Sequence, residues 1–140
     1  MSKNQRGIKS WFELKGRNFE RWLFLFHRAS GVVIGLYFVL HVIETANSLD
    51  ADVWTALMAM LSNPAAHSGL LIIAAFSVFH ALNGVRLLLV GQGVAVGKPV
   101  IQGFPIVKVS LTSAQRRLAE VMLVLTLALT VYAFYQLFIA

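Results

Sequence analysis

The sequence predicts an all-α membrane protein with three transmembrane helices and a basic N-terminal segment. Three observations predict it. Hydrophobic residues make up 58% of the 140 residues and charged residues only 13%, about half the charged share of a soluble domain. Three stretches reach the roughly 20 apolar residues that cross a bilayer. The cations are also one-sided: 12 Lys and Arg against 6 Asp and Glu cluster before the first stretch and between the second and third. The chain has no cysteine. That excludes a disulfide framework, a cysteine zinc site, an iron–sulfur cluster and a covalently attached c-type haem. The apolar content excludes disorder, and the length suits a single membrane domain covering residues 1–140.

Residues 1–21 form a cytoplasmic or interfacial segment carrying Lys3, Arg6, Lys9, Lys15, Arg17 and Arg21. Within it Trp11, Phe12, Leu14 and Phe19 mix with basic residues, the pattern of a short amphipathic helix lying along the interface. The first span covers about residues 22–46, and Ala29–Ile43 carries no formal charge. Its apolar run is too long for the core of a cleavable signal, so it reads as a retained helix. Asp50 and Asp52 follow, and Val53–Leu61 reads as a second interfacial stretch with Trp54 as its anchor.

Asn63-Pro64 marks a break before the second span, about residues 67–90. Nothing from Val53 to Val85 is formally charged. The next connection holds Gly91, Gly93, Gly97, Pro99, Gly103 and Pro105, which forbid a long helix. It also holds Lys98 and Lys108. Thr112 or Ser113 caps the third span, about residues 116–139. From Val121 to Ile139 its only ionisable groups are two tyrosines.

By the positive-inside rule the N-terminus and the second connection are cytoplasmic, and the C-terminus lies outside. A charge this one-sided reads as a topology signal and a rim for anionic headgroups or partner proteins, not as a nucleic-acid surface.

Ionisable groups inside a span usually have a purpose. Here they are His27, Arg28, His41, Glu44, His80 and Arg86, with His67 at the outer boundary. Histidine is the axial ligand of b-type haem, which needs no cysteine. Gly84 follows His80 by one turn on the same face, where a glycine lets a flat macrocycle approach the backbone. Arg86 lies about 9 Å beyond His80 along the axis, in reach of a haem propionate. In the first span Gly31 and Gly35 form a small face that suits a neighbouring helix or ring equally. Arg28 can snorkel to headgroups, bind an anion such as a propionate, or donate to a quinone carbonyl.

His41 follows His27 by fourteen residues, about 21 Å of rise and about 40° short of four full turns. His41 is therefore about 20 Å above Arg28, whereas His80 is only about 9 Å above Arg86. The two cannot clasp one iron. As haem ligands they serve two haems, each completed by a histidine from another chain, so the chain is half of a larger haem-binding bundle. Glu44 is one turn from His41. It reads as a proton acceptor near an outer site or as a plain interfacial carboxylate.

The pattern His27-Arg28-x-Ser30-Gly31, joined to His80-x-x-x-Gly84-x-Arg86, resembles the cytochrome b membrane-anchor subunit of succinate dehydrogenase and quinol:fumarate reductase. Span number, length and charge layout match over nearly the whole chain, while the specific motifs cover about twenty residues. The resemblance implies that His80 is an axial ligand of the haem nearer the cytoplasm. It places His27, Arg28 and Arg86 near the haem propionates and the quinone pocket. His41 sits where two-haem members carry an additional ligand.

The resemblance further implies a flavoprotein subunit, an iron–sulfur subunit and a second membrane-anchor subunit as partners, haem b as cofactor and membrane quinone as substrate. A quinone pocket would be shaped by Arg28, Ser30 and apolar neighbours such as Trp22. The chain departs from single-haem bacterial members at two positions. Phe24 stands where they often carry a serine, and Gly91 where an acidic residue often follows. Both changes point to a two-haem branch.

Two other classes fit the composition. A cytochrome b anchor of a different oxidoreductase usually has more spans and more histidines in one chain. A haem-free membrane scaffold subunit has no b-type optical band.

Overall fold

The computed structural model describes residues 19–96 and 111–140. Most of the amphipathic segment, its five cations up to Arg17, and Lys98, Pro99, Gly103, Pro105 and Lys108 lie outside the described residues, Arg21 and Phe19 within them. Among the described residues four α-helices follow one another: α1 (Phe19–Ala46), α2 (Ala51–Leu61), α3 (Pro64–Gly91) and α4 (Ser113–Phe138). A single 3₁₀ turn, Asn47–Leu49, separates α1 from α2. With its 3₁₀ extension α1 spans Phe19–Leu49, and α1, α3 and α4 are all long and apolar enough to cross a membrane. α2 is apolar but too short.

The breaks between helices are made by side-chain caps. Asp50 accepts from the backbone N–H groups of Asp52 and Val53 at 3.0 and 3.1 Å, opening α2. Asn63 does the same for α3 through Ala65 and Ala66 at 2.9 and 3.0 Å, with Pro64 at the first turn, where its missing N–H leaves nothing unpaired. Thr112 opens α4 in a capping box with Gln115. The turn after α3 places Gly93 at φ +87°, a conformation that L side chains rarely adopt. Thr112 also donates to the carbonyl of Ala95 at 3.0 Å, tying the end of that turn to the start of α4.

α3 is the central helix and packs against both α1 and α4. The apolar contact among the three is small. Leu23 from α1 meets Ala119 and Met122 from α4, with Phe79, Leu82 and Leu123 around them. The other buried residues are polar: Ser30, Asn83 and Arg86. Long apolar side chains such as Leu36, Phe38, Leu40, Leu88 and Leu127 stand exposed around the bundle. A soluble protein buries such residues. Here they stand outside a small core that is half apolar and half polar, as lipid or a partner helix allows.

Candidate functional site

The motif residues of α1 and α3 meet at one end of the bundle. The rings of His27 and His80 stack with centroids 4.0 Å apart and an interplanar angle of 8°. The approach is possible because Gly31 has no side chain. A Cβ there would lie 2.8 Å from His80 Cε1, closer than real contacts permit. Gly84 faces the other ring, its added Cβ falling 3.7 Å from His27 Cε1 in ordinary contact. Each motif glycine thus faces the opposite helix's histidine. Gly35, one turn beyond Gly31, has nothing within 4 Å.

His80 Nδ1 lies 3.0 Å from the carbonyl oxygen of His27 and 3.2 Å from Ser30 Oγ. Ser30 itself donates to that same carbonyl at 2.9 Å and is only 1% exposed. Its hydroxyl is turned into the bundle.

Below this pair along α3 sits a polar group that composition does not disclose. Asn83 is fully buried and Arg86 is 4% exposed. Arg86 Nε donates to Asn83 Oδ1 at 2.9 Å. They are three residues apart and so share a face. Among the described residues no carboxylate lies within 4.0 Å of Arg86, the only such ion pairs being His41–Glu44 and Arg116–Glu120. Two buried polar atoms have no hydrogen-bond partner there, His27 Nδ1 and Asn83 Nδ2. A buried guanidinium whose acidic neighbour, Glu20, acts only at a distance is costly, and so is an orphaned buried amide. The charge, the orphaned amide and the orphaned imidazole nitrogen suit an anionic, hydrogen-bonding ligand.

Arg28 follows His27 but turns the other way, to the exposed face. Its guanidinium lies 4.3 Å from the centre of the Phe24 ring, a cation–π contact. Trp22 and Phe26 stack at 5.8 Å, and Phe26 meets Phe79 edge-on at 6.4 Å. Two aromatic groups thus stand on different faces of α1: Phe24 with Arg28 on the exposed side, and Trp22 with Phe26 on the side that meets Phe79 of α3.

His41 and Glu44 sit far from this group, at the other end of α1. His41 Nδ1 lies 3.4 Å from Glu44 Oε2, with side-chain exposures of 45% and 28%. Tyr37 stacks on His41 at 5.5 Å. The three line a cavity of about 490 Å³ between α1, Leu61 of α2, and Ala66, Leu70 and Ile73 of α3. A neighbouring cavity of about 310 Å³ continues under α2 past Trp54 and Met58 to His67. His67 in turn packs edge-on against Phe138 at 6.0 Å, joining the start of α3 to the end of α4.

The structure thus gathers His27, Ser30, Gly31, His80, Gly84 and Arg86 into one cluster. It leaves Arg28 with Phe24 on the exposed face of α1, Trp22 with Phe26 on the face toward Phe79, and His41 and Glu44 at the other end of the helix. Asn83 and Tyr37 are site residues that the motifs did not disclose. The signal for Asn83 is an amide in an apolar span one turn before Arg86, and for Tyr37 an aromatic one turn before His41.

A bundle with three membrane-spanning helices among the described residues, apolar side chains outside, and a buried cluster that joins histidines from two helices beside Asn83 and Arg86, is an integral membrane protein with a polar interior site. The chain belongs to the family of succinate dehydrogenase/fumarate reductase transmembrane subunits, whose family model matches residues 2–133. No match was found among curated proteins. The chain is accordingly the membrane-anchor subunit type of an oxidoreductase complex.

Proposed function

We propose that this chain is a haem b-containing anchor subunit that joins the soluble succinate-oxidising or fumarate-reducing subunits to membrane quinone. The observation that supports it best is the buried Arg86, Asn83 and His27 group: among the described residues no carboxylate pairs directly with Arg86, and His27 Nδ1 and Asn83 Nδ2 have no hydrogen-bond partner. That is the environment a haem propionate needs. His80, beside it, supplies the axial nitrogen. Bound haem supplies one-electron exchange between the iron–sulfur subunit and quinone.

The remaining roles follow from position. His41 is the axial histidine for a second haem in the other half of the membrane, with Glu44 beside it as proton acceptor. Arg28 and Phe24 offer a hydrogen-bond donor and an aromatic ring for a flat quinone on the exposed face of α1, the mixture small-molecule pockets use, while Trp22, on the face toward α3, borders the pocket from its other side. A second anchor subunit covers the exposed apolar faces and completes each iron. The flavoprotein and iron–sulfur subunits dock on the basic cytoplasmic side, where Arg21, Arg116 and Arg117 lie. The C-terminus is then outside the cytoplasmic membrane.

The test is a reduced-minus-oxidised optical spectrum of the purified complex, with haem counted per flavin. Two b-type haems in the native complex, one in His41→Ala and a further loss in His80→Ala, are expected. Absence of any b-type band sinks the reading and leaves a haem-free anchor. An unchanged haem count in His41→Ala removes the second site alone.

A further inference from the structure

We infer that Ser30 is a positioning residue for His80: together with the His27 carbonyl it holds the proton on Nδ1 and so reserves Nε2 for the metal. This rests on the haem reading above. It differs from the quinone-pocket role that sequence position suggests for Ser30.

The argument starts from the carbonyl. A backbone oxygen can only accept. His80 Nδ1 lies 3.0 Å from the His27 oxygen, so Nδ1 must carry a proton there, since two lone pairs would otherwise face each other. Ser30 Oγ donates its own proton to the same oxygen at 2.9 Å. Its lone pairs are then left to accept from His80 Nδ1 at 3.2 Å. The Nδ1 proton is shared between two acceptors of α1. A neutral imidazole protonated at Nδ1 has its free lone pair on Nε2.

The arrangement is built rather than incidental. Ser30 is only 1% exposed. Gly31, the next residue, leaves the room that the His80 ring occupies. One turn of α1 therefore supplies the carbonyl, the hydroxyl and the vacant volume. Hydrogen bonds of this kind fix the ligand's tautomer and ring orientation and raise its basicity. A more basic axial ligand favours ferric iron and lowers the potential.

The experiment uses the purified membrane complex and reads the haem component that His80→Ala removes. Ser30→Ala is expected to keep that haem while raising its midpoint potential and shifting its low-spin electron paramagnetic resonance signal. Ser30→Thr, which keeps the hydroxyl, restores both. In the native complex labelled with ¹⁵N-histidine, hyperfine spectroscopy is expected to find Nε2 on the iron and an exchangeable proton on Nδ1. That measurement decides the matter even where Ser30→Ala fails to assemble. Coordination through Nδ1, or a Ser30→Ala complex with full haem and native potential and spectrum, overturns the inference and leaves the haem reading standing. Absence of b-type haem from the native complex overturns both.

Discussion

His27 on α1 and His80 on α3 lie ring to ring, 4.0 Å apart and within 8° of parallel, and the backbone carbonyl of the first holds Nδ1 of the second. The two histidines therefore contribute differently. His27 acts on His80 through its main chain, which no side-chain substitution removes. His27→Ala is expected to retain the His80 haem at weakened affinity, whereas His80→Ala loses it. Haem content by pyridine haemochrome, with and without added haemin, checks this. Equal loss in both variants would count against the division of roles.

The two motif glycines differ in tolerance. Gly31→Ala forces a Cβ to 2.8 Å from His80, and overpacking of this kind costs about 1–3 kcal/mol. Gly84→Ala meets His27 only at 3.7 Å, and replacing a mid-helix glycine by alanine gains about 0.5–1 kcal/mol of helix stability. The melting temperature in detergent should fall for the first and hold or rise for the second. A drop for Gly84→Ala as large as for Gly31→Ala would show a ligand or partner seated at Gly84.

Asn83 supports Arg86 from within. Asn83→Leu removes the Nε acceptor and leaves a buried guanidinium with one fewer partner, an effect of about 1–3 kcal/mol. Arg86→Lys keeps the charge but not the planar donor to Asn83, and is expected to lose a similar amount. Thermal unfolding of the complex measures both. If Asn83→Leu melts with the native complex, the polar pair does not hold the bundle.

Glu44 predicts a separation of stability from turnover. Its contact with His41 is a partly exposed pair one turn apart at 3.4 Å, and such pairs contribute about 0.5 kcal/mol or less. Glu44→Gln should leave the melting temperature within a degree or two while slowing quinone-linked turnover. Unaltered turnover would assign Glu44 to the membrane interface alone.

The helix caps give the plainest prediction. Asn63 satisfies two backbone donors at the start of α3, and Asn63→Ala is expected to cost about 1 kcal/mol. Asn63→Asp keeps the acceptor and should melt close to the native protein.

The sequence by itself determined the helical membrane class, because runs of apolar residues this long have no other way to satisfy their backbone groups in lipid. It also placed the break at Asn63-Pro64 and the cap at Thr112, though not the cap at Asp50. Asn63 and Thr112 cap helices through interactions with residues two or three positions on, which are local and therefore readable. The motif histidines and Arg86 stood out as ionisable groups in apolar spans.

Which face of each helix turns inward was decided only by tertiary structure. Leu36 and Leu40 are exposed and Leu23 is buried, although Leu36 and Leu40 lie in the charge-free run and Leu23 lies between Arg21 and His27. In lipid the outer face is as apolar as the inner, so apolar periodicity does not mark the packed side. Gly31 and Gly35 are equivalent in sequence, and only the position of α3 gives one a histidine ring and the other open space. The same contact turned Ser30 from a pocket hydroxyl into a partner of His80, and the burial of Asn83 with Arg86 depends on how α3 lies between α1 and α4.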